Sequence, residues 1–235
     1  MPKYSIITVN KNDAENLDKT ILSVVSQSYK DYEYIIIDGA STDHTRNIIH
    51  QYKSNITHFV SNKDSGIYDA MNKGISLATG DWLLFPNAGD TFTTSDTLLN
   101  LNLSLEQIPK TEFLVFPVLR DSKHQYPLKF KNNPGYVASF YGQQSILYHR
   151  SLFKHRNFDL KYRFLADLEF SCYALLQQKV KFEYYQQPVF NYPMNGVTTK
   201  FLKECEQERF KIYKKYKQLS LVRIFKHFVK IVLIR

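Results

Sequence analysis

The sequence predicts an α/β protein with a mixed, mostly parallel sheet flanked by helices. Across residues 4–86, β-prone runs alternate with segments whose apolar residues recur at helical spacing. The connections are short, and the β-prone runs are almost continuously apolar, which is typical of strands buried on both faces. This alternation favours parallel strands that are covered by helices on both sides.

Four strands and three helices are predicted in this first half. Polar residues follow the first strand, and Asn12 or Asp13 is expected to cap the first helix. The third helix carries an apolar stripe at i, i+3, i+4 and i+7 spacing, which indicates core packing. The predicted strands are 4–9, 33–37, 57–61 and 81–86, and the predicted helices are 17–25, 45–53 and 67–78.

The second half of the chain is less regular, and half-barrel or linker interpretations stay open there. A hairpin is expected from strands at 112–119 and 126–130, followed by a loop at Pro134-Gly135. A strand at 145–148, a helix at 166–178 and a strand at 179–185 complete the predicted elements.

Length and cysteine content limit the possible classes of protein. At 235 residues, the chain is long enough for one sizeable core, and one domain is favoured over two small ones. Cys172 and Cys205 lie far apart without metal-ligand spacing, so we expect a reducing, cytoplasmic compartment rather than a disulfide framework. The N-terminal apolar run is too short for a signal peptide, and no spanning helix is expected.

Basic residues concentrate at the C-terminus. The formal net charge is +9, and residues 200–235 hold eleven Lys or Arg against three Glu, so the remaining body is nearly neutral. Taken as a helix, residues 221–235 place an apolar stripe beside a basic one, which is typical of a helix on an anionic membrane surface. A partner helix or a neighbouring subunit would bury the same stripe. A nucleic-acid partner is disfavoured because the basic residues do not form a polar face that follows phosphates.

Acidic residues follow three of the four predicted strands. Ligands bind at the carboxyl ends of the strands in an open parallel sheet, and Asp38, Asp64 and Asp90 are expected at that edge. The phosphate-binding glycine loops GxxxxGK[ST] and GxGxxG are absent from the sequence. A divalent cation would therefore be needed to neutralise the negative charge of a phosphorylated ligand. Asp90 is the expected carboxylate for that cation, with a solvated turn residue as the alternative.

Three linked segments resemble glycosyltransferase family 2, whose members have the GT-A fold and use nucleotide-sugar donors. The segments are SIITVNKNDAENLDKTILSVVSQSY, YIIIDGASTDHT and DSGIYDAMNKGISLATGDWLLFPNAGD. A weaker similarity extends to about residue 198 through GQQSILYHRSLF, ADLEF and MNGVT. The resemblance implies a GT-A domain at 1–198, with a nucleotide-sugar-binding half at 1–100 and an acceptor-binding half at 101–198. A basic amphipathic helical tail at 199–235 would follow.

The resemblance also implies a donor pocket. Thr8 and Asn10 are expected to line the nucleotide pocket at the end of the first strand. Asp38 is expected to accept hydrogen bonds from the base or the ribose, and Asp64 to do likewise, because carboxylates suit N–H and O–H donors. Lys73, on the polar side of the third helix, is expected to reach the base or a phosphate, with a solvated helix lysine as the alternative.

A metal site and a general base complete the implied active site. The element NAGD takes the place of the family's DxD element, with Asn87 at the donor and Asp90 holding Mg²⁺ or Mn²⁺. It departs from the family pattern, because it has one carboxylate where many relatives have two or three. Asp167 in ADLEF resembles the general base, with Glu169 in reserve. The alternative for Asp167 is an acid that the helix dipole favours at a helix start.

The implied reaction is the inverting transfer of a sugar from a nucleotide diphosphate to a hydroxyl of a glycan or lipid-linked glycan. UDP is the expected nucleotide diphosphate. Bacterial surface polysaccharide biosynthesis is the expected setting. Gln143 and Gln144 are candidates for sugar contacts, and Tyr136, Phe140 and Tyr141 for acceptor stacking. Two alternative functions remain open. One is a nucleotidyltransferase, which would ordinarily have a glycine-rich loop with a basic residue after the first strand. The other is a non-catalytic module that binds a sugar or a membrane surface. The sequence does not determine the oligomeric state.

Overall fold

The computed structural model describes residues 3–108, 110–120, 124–125, 133–140, 142–193 and 201–217, with backbone only for 120, 124–125 and 139–140. The strands are β1 (Tyr4–Asn10), β2 (Tyr32–Asp38), β3 (His58–Ser61), β4 (Trp82–Leu84), β5 (Thr91–Phe92), β6 (Phe113–Val115), β7 (Val118–Arg120), β8 (His124–Gln125), β9 (Ile146–His149), β10 (Phe182–Tyr184) and β11 (Phe190–Tyr192).

The α-helices are α1 (Ala14–Val25), α2 (Thr45–Gln51), α3 (Ile67–Leu77), α4 (Thr97–Leu105), α5 (Pro134–Phe140), α6 (Ala166–Cys172) and α7 (Leu202–Lys215). A π-helical segment, Tyr173–Gln177, continues α6, and short 3₁₀ helices lie at Lys53–Asn55, Gln143–Ser145 and Arg150–Phe153. Within the described residues, none of the helices combines the length and the apolar character that crossing a bilayer requires.

Seven strands form the main sheet in the order β10-β6-β9-β4-β1-β2-β3. β9 runs antiparallel to both of its neighbours, and the other adjacent strands pair in parallel. The predicted mixed, mostly parallel sheet flanked by helices is therefore confirmed. A second sheet of four short strands has the order β5-β11-β7-β8.

The central strands of the main sheet are buried on both faces, as the continuous apolar strands predicted, whereas the edge strands β3 and β10 are partly exposed. Ile7 and Ile35 belong to one core cluster, whereas Ile6 and Tyr34 belong to a second cluster, because successive side chains of a strand point to opposite faces. The predicted apolar stripe of α3 packs into the first cluster. Gly74 lets α3 approach the sheet closely, since a Cβ there would collide with Ile7.

The first helix is not capped as predicted. Asp13 precedes α1 but makes no side-chain capping bond. Instead, Asp43 accepts hydrogen bonds from the backbone N–H of Ala14 at 3.0 Å and of Thr45 at 3.1 Å. One carboxylate from the loop after β2 therefore satisfies donors at the starts of both α1 and α2.

The second half differs more from prediction. The expected strand at 112–119 divides into β6 and β7, which belong to different sheets, and the break between them contains Pro117, which has no N–H for a ladder. β7 pairs with β8 at 124–125 in an antiparallel hairpin, whereas the strand predicted at 126–130 lies outside the described residues. The loop expected at Pro134-Gly135 is instead the first turn of α5, where proline at the first position is favourable.

The helix α7 packs against the body of the protein although it lies in the segment predicted as a tail. Ile212 and Tyr213 are buried in the first core cluster. Glu208 accepts hydrogen bonds from the backbone N–H groups of residues 163, 164 and 165 at 2.7, 2.9 and 3.0 Å, just before α6 begins. The amphipathic helix predicted at 221–235 lies outside the described residues.

Candidate active site

The carboxyl ends of β1, β2 and β3 meet at Asp38. Asp38 pairs in register with Asn10 and with Ser61, and its side chain is fully buried. Its oxygens accept hydrogen bonds from Ser61 Oγ at 2.7 Å, from the backbone N–H of Ser41 at 3.0 Å and from Asn10 Nδ2 at 3.3 Å. Asp38 therefore ties the three strand ends together, and its predicted contact with a ligand stays a prediction.

Thr8 and Asn10 belong to the same strand end. Thr8 is fully buried, and its Oγ1 accepts a hydrogen bond from the Tyr34 hydroxyl at 3.1 Å. Asn10 is 5% exposed, and its Nδ2 donates to Thr45 Oγ1 at 3.0 Å, while its Oδ1 has no partner among the residues that the structure describes. Of these two predicted residues, Asn10 thus has the polar atom that is left for a ligand.

Asp64 reaches the same edge from the segment after β3. Its Oδ1 accepts a hydrogen bond from the backbone N–H of Gly66 at 3.1 Å. Its Oδ2 lies against Gly39, where a Cβ would collide with it. Lys73 has local partners, since its Nζ pairs with Asp69 at 3.1 Å and donates to the Lys63 carbonyl at 3.0 Å. Asp64 therefore lies at the strand ends. Lys73 binds the backbone of the residue that precedes Asp64 and does not contact the Asp64 side chain in these bonds.

The NAGD element forms a tight turn on top of α1. Ala88 N–H donates to the Val9 carbonyl at 3.4 Å, and Gly89 N–H donates to Thr20 Oγ1 at 2.9 Å. Gly89 has a φ of +102°, which favours glycine, and a Cβ there would lie 3.2 Å from Pro193 Cγ. Gly89 is therefore the residue that the geometry of this turn requires.

Asp90 is a buried carboxylate at the end of this turn. It is 3% exposed, and its Oδ2 accepts a hydrogen bond from the backbone N–H of Asn87 at 2.9 Å. Burial raises the pKa of Asp90 to about 7, although that hydrogen bond opposes the shift. In the part of the chain that the structure describes, no Lys, Arg or His side chain pairs with it.

The donor atoms of this turn fit a hard divalent cation. Within the described parts of the chain, Asn87 Oδ1 is buried without a hydrogen-bond partner, and the Asp90 carboxylate has no countercharge. Mg²⁺ and Mn²⁺ prefer such oxygen ligands. The described residues contain no cluster of three or more His, Cys, Asp or Glu that would bind a metal by themselves. A cation here would therefore need further ligands from a bound phosphate.

Asp167 lies in the first turn of α6 and is 7% exposed. Its Oδ1 accepts a hydrogen bond from the Tyr68 hydroxyl at 2.6 Å, and its Oδ2 accepts one from the backbone N–H of Gln143 at 3.1 Å. Sequence reasoning missed Tyr68. The sequence did contain a signal for this residue, because Tyr68 lies on the apolar side of the third helix, and a buried tyrosine hydroxyl usually has a hydrogen-bond partner. Gln143 was a candidate for its side chain, whereas here it contributes its backbone.

Topology places Asp90 and Asp167 at the same edge of the sheet. β9 is antiparallel to β4, so the turn at 143–145 that precedes β9 lies at the edge where β4 ends. Asp90 belongs to the turn after β4, and Asp167 is bonded to the turn before β9. The NAGD turn packs on α1, whereas Asp167 lies on α6, and these helices cover opposite faces of the sheet. The two acids therefore reach one edge from opposite sides.

A sequence model of the family described as Glycosyl transferase family 2 matches residues 5–156, which is more than half of the chain. The chain belongs to glycosyltransferase family 2. The matched region includes the carboxyl ends of β1 to β4, the NAGD turn and the turn at 143–145. Asp167 lies beyond the match.

This family 2 glycosyltransferase is similar to curated and solved proteins over most of its length. A PGL/p-HBAD biosynthesis glycosyltransferase of Mycobacterium bovis is 32% identical over 175 residues, which is 72% of this chain and 68% of that protein. TarS of S. aureus, solved in complex with UDP, has a TM-score of 0.71 at 16% identity, covering 87% of this chain and 62% of that chain. The mannosyltransferase PcManGT of Pyrobaculum calidifontis, solved with GDP-Man and Mn²⁺, has a TM-score of 0.70 at 16% identity, covering 93% and 65%. The chain thus spans less than two thirds of both solved chains, and at this identity they bear on the fold alone.

Glu169, the reserve candidate for the base of this glycosyltransferase, has other partners. It is fully buried and ion-paired with Arg156, and its Oε1 accepts from Lys215 Nζ at 2.6 Å and from the Tyr216 hydroxyl at 2.7 Å. Burial raises the pKa of Glu169, but the hydrogen bonds from these three residues outweigh burial, so the pKa lies below its usual value. Glu169 therefore anchors α6 to α7 and is closed to an acceptor.

The remaining predicted sugar contacts are only partly described. Gln143 is buried and Gln144 is half-buried next to the turn that holds Asp167. Tyr136 is half-buried in α5, whereas the side chain of Phe140 and all of Tyr141 lie outside the described residues. Their contacts with a sugar stay predictions.

Proposed function

We propose that this protein transfers a sugar from a nucleotide diphosphate to an acceptor hydroxyl with inversion, using Asp167 as the general base. One observation carries the proposal: Asp90 and Asp167 reach the same sheet edge from opposite sides. Among the described residues, Tyr68 and Gln143 donate to two of the roughly four lone-pair positions of Asp167, so two positions remain for an acceptor. Family membership supplies the reaction class.

The chain's own groups have separate tasks in this reaction. Asp167 takes the proton from the acceptor hydroxyl as its oxygen attacks the anomeric carbon, and such general-base help is typically worth about 10² to 10⁴ in rate. Because the base and the leaving group lie on opposite sides of the sugar, the displacement inverts the anomeric centre. Asn87 and Asp90 would hold Mg²⁺ or Mn²⁺, which when bound offsets the charge that develops on the diphosphate.

We propose a UDP-sugar as the donor, bound at the edge formed by Asn10, Asp38 and Asp64. The unpartnered Oδ1 of Asn10 and the exposed part of Asp64 suit the N–H and O–H groups of a nucleoside. The structural neighbour TarS was solved with UDP, and PcManGT with GDP-Man and Mn²⁺. The similarity to a PGL/p-HBAD biosynthesis glycosyltransferase and to a putative teichuronic acid biosynthesis glycosyltransferase of Bacillus subtilis supports a glycolipid or polysaccharide acceptor in surface-glycan biosynthesis.

A panel of radiolabelled nucleotide sugars with Mn²⁺ tests this function. We expect release of the free nucleotide diphosphate from one UDP-sugar, and transfer of label to a glycan or lipid-linked glycan acceptor. Binding without release would indicate a non-catalytic sugar-binding module. Formation of a nucleotide sugar from a nucleoside triphosphate and a sugar phosphate would indicate a nucleotidyltransferase instead.

We further propose that the tail holds the enzyme on the cytoplasmic face of the inner membrane. The support is the apolar and basic pattern of residues 221–235. The full chain is expected to co-sediment with anionic vesicles in a salt-sensitive manner, and replacement of Arg223, Lys226 and Lys230 by Gln to weaken that binding. Each basic residue is worth about 1 kcal/mol near such a surface. Salt-independent binding, or self-association without vesicles, would instead favour a protein partner for the stripe.

A further inference from the structure

The hydroxyl of Tyr68 is directed at the carboxylate that carries the proposed chemistry. Its oxygen lies 2.6 Å from Asp167 Oδ1 and 3.0 Å from the Phe164 carbonyl oxygen. A phenol has one proton and can donate it to one of them at a time. The carboxylate is nearer and charged, and hydrogen bonds to charged acceptors are the stronger ones. Tyr68 therefore donates to Asp167 when that residue is ionised.

Packing fixes the position of the Tyr68 hydroxyl. Tyr68 is 5% exposed, and its ring contacts that of Phe158 at a centroid distance of 5.5 Å. Asn72, one turn further along α3, fixes the backbone of Phe158. Its Nδ2 donates to the Phe158 carbonyl at 2.9 Å, and its Oδ1 accepts from the Phe158 N–H at 3.1 Å. Burial, followed by the charge of Asp167, raises the pKa of Tyr68 well above its usual value, so the hydroxyl remains a donor.

We propose that Tyr68 is a positioning residue for the general base, an inference that rests on the proposed role of Asp167. Tyr68 Oη and the N–H of Gln143 each hold one carboxylate oxygen, which fixes the plane of the carboxylate. The remaining lone pairs of the Asp167 carboxylate are then held in fixed directions, and we expect one of them to face the acceptor hydroxyl. A general base that is held in its productive geometry removes the acceptor proton faster than a base that must first rotate into that geometry.

The variant Tyr68→Phe removes one oxygen atom and keeps the ring. We expect kcat to fall about 10- to 100-fold, the range that corresponds to losing a hydrogen bond to a charged group. Donor affinity is expected to stay unchanged, because the contact of Asp64 with Gly66 at the start of α3 does not involve the hydroxyl. Unchanged binding of UDP with Mn²⁺ also reports that the variant is folded.

A matched control exists elsewhere in the fold. Tyr52 donates to Asp18 Oδ1 at 2.9 Å, a bond of the same chemistry between α1 and the end of α2. Tyr52→Phe is expected to leave kcat unchanged. An equal loss of kcat in Tyr52→Phe and Tyr68→Phe would mean that the effect is a general loss of stability, which overturns the proposal.

The combination with Asp167→Asn separates the inference from the function on which it rests. If Tyr68 acts through the carboxylate, Tyr68→Phe lowers kcat in the wild type but adds nothing in the Asp167→Asn background. An equal fold-loss in both backgrounds, or wild-type kcat for Tyr68→Phe beside an impaired Asp167→Asn, overturns the positioning role alone. Normal turnover by Asp167→Asn would overturn the base itself.

Discussion

Replacing Asp167 by Asn is expected to lower kcat by about 10² to 10⁴ while the affinity for the donor remains at the wild-type level. The amide has nearly the same shape and keeps an oxygen for the Tyr68 hydroxyl, but it cannot take a proton from the acceptor. Because the donor edge at Asn10 and Asp64 is not touched, the loss belongs to the chemical step. Single-turnover kinetics beside equilibrium binding of the UDP-sugar separate the two quantities.

The matched control for this variant is Asp18→Asn. Asp18 also accepts a hydrogen bond from a tyrosine hydroxyl, at 2.9 Å, but it lies on α1 away from the turn that precedes β9. The Asp18→Asn variant is expected to have the kcat of the wild type. If Asp167→Asn retains wild-type kcat, then Asp167 is a helix-start acid and another group or water accepts the proton.

Replacing Asp90 by Ala is expected to abolish the response of the protein to divalent cations. The metal contributes several kcal/mol of charge stabilisation in reactions of this kind, so kcat/KM is expected to fall by about 100-fold or more. The fold is expected to survive, because Asp90 is a desolvated carboxylate whose pKa is raised to about 7 by burial, and removing it relieves that cost. Binding of the UDP-sugar with and without Mn²⁺, followed by calorimetry, measures the effect.

The neighbouring Asp96 provides the comparison for Asp90. It is exposed, and its Oδ1 accepts a hydrogen bond from Ser28 Oγ at 2.6 Å. Asp96→Ala is expected to keep metal-dependent donor binding. If Asp90→Ala binds the donor in the presence of Mn²⁺ as tightly as the wild type, then the NAGD turn does not hold the cation.

The first half of the fold was predictable because its signals are local. Continuous apolar strands and the helical stripe of α3 each extend over a full element, so burial on both faces of the sheet follows from the pattern. The shared edge of Asp38, Asp64 and Asp90 follows from parallel pairing alone. The cap of α1 did not follow, because Asp43 comes from another loop and no local pattern predicts a tertiary contact.

The second half was harder to predict because its elements are short and depend on distant partners. β5 has two residues, and it pairs with β11, which begins almost a hundred residues later. Such strands carry too few side chains for a period to be recognised. The proline that separates β6 from β7 was visible in the sequence, but the change of sheet it accompanies is a property of the tertiary structure.

For the candidate site, sequence patterns predicted which residues lie at the sheet edge, but they did not predict which of their atoms are bonded within the protein. Asp38 has its oxygens bonded within the protein, whereas Asn10 retains one free oxygen, and both have the same signature of a polar residue after a strand. Tyr68 lies almost a hundred residues from Asp167, so their contact was not accessible to reasoning from spacing.

The proposed mechanism requires the carboxylates of residues 90 and 167 to act on one sugar from opposite sides. Its most direct test is a crystal structure of Asp167→Asn with Mn²⁺ and the intact UDP-sugar, with the metal located by anomalous scattering. We expect Mn²⁺ on the Asp90 carboxylate, the anomeric carbon between the diphosphate and residue 167, and an open path for an acceptor on the side of residue 167. Metal bound away from Asp90, or a sugar with residue 167 on the same side as the diphosphate, would be incompatible with this mechanism.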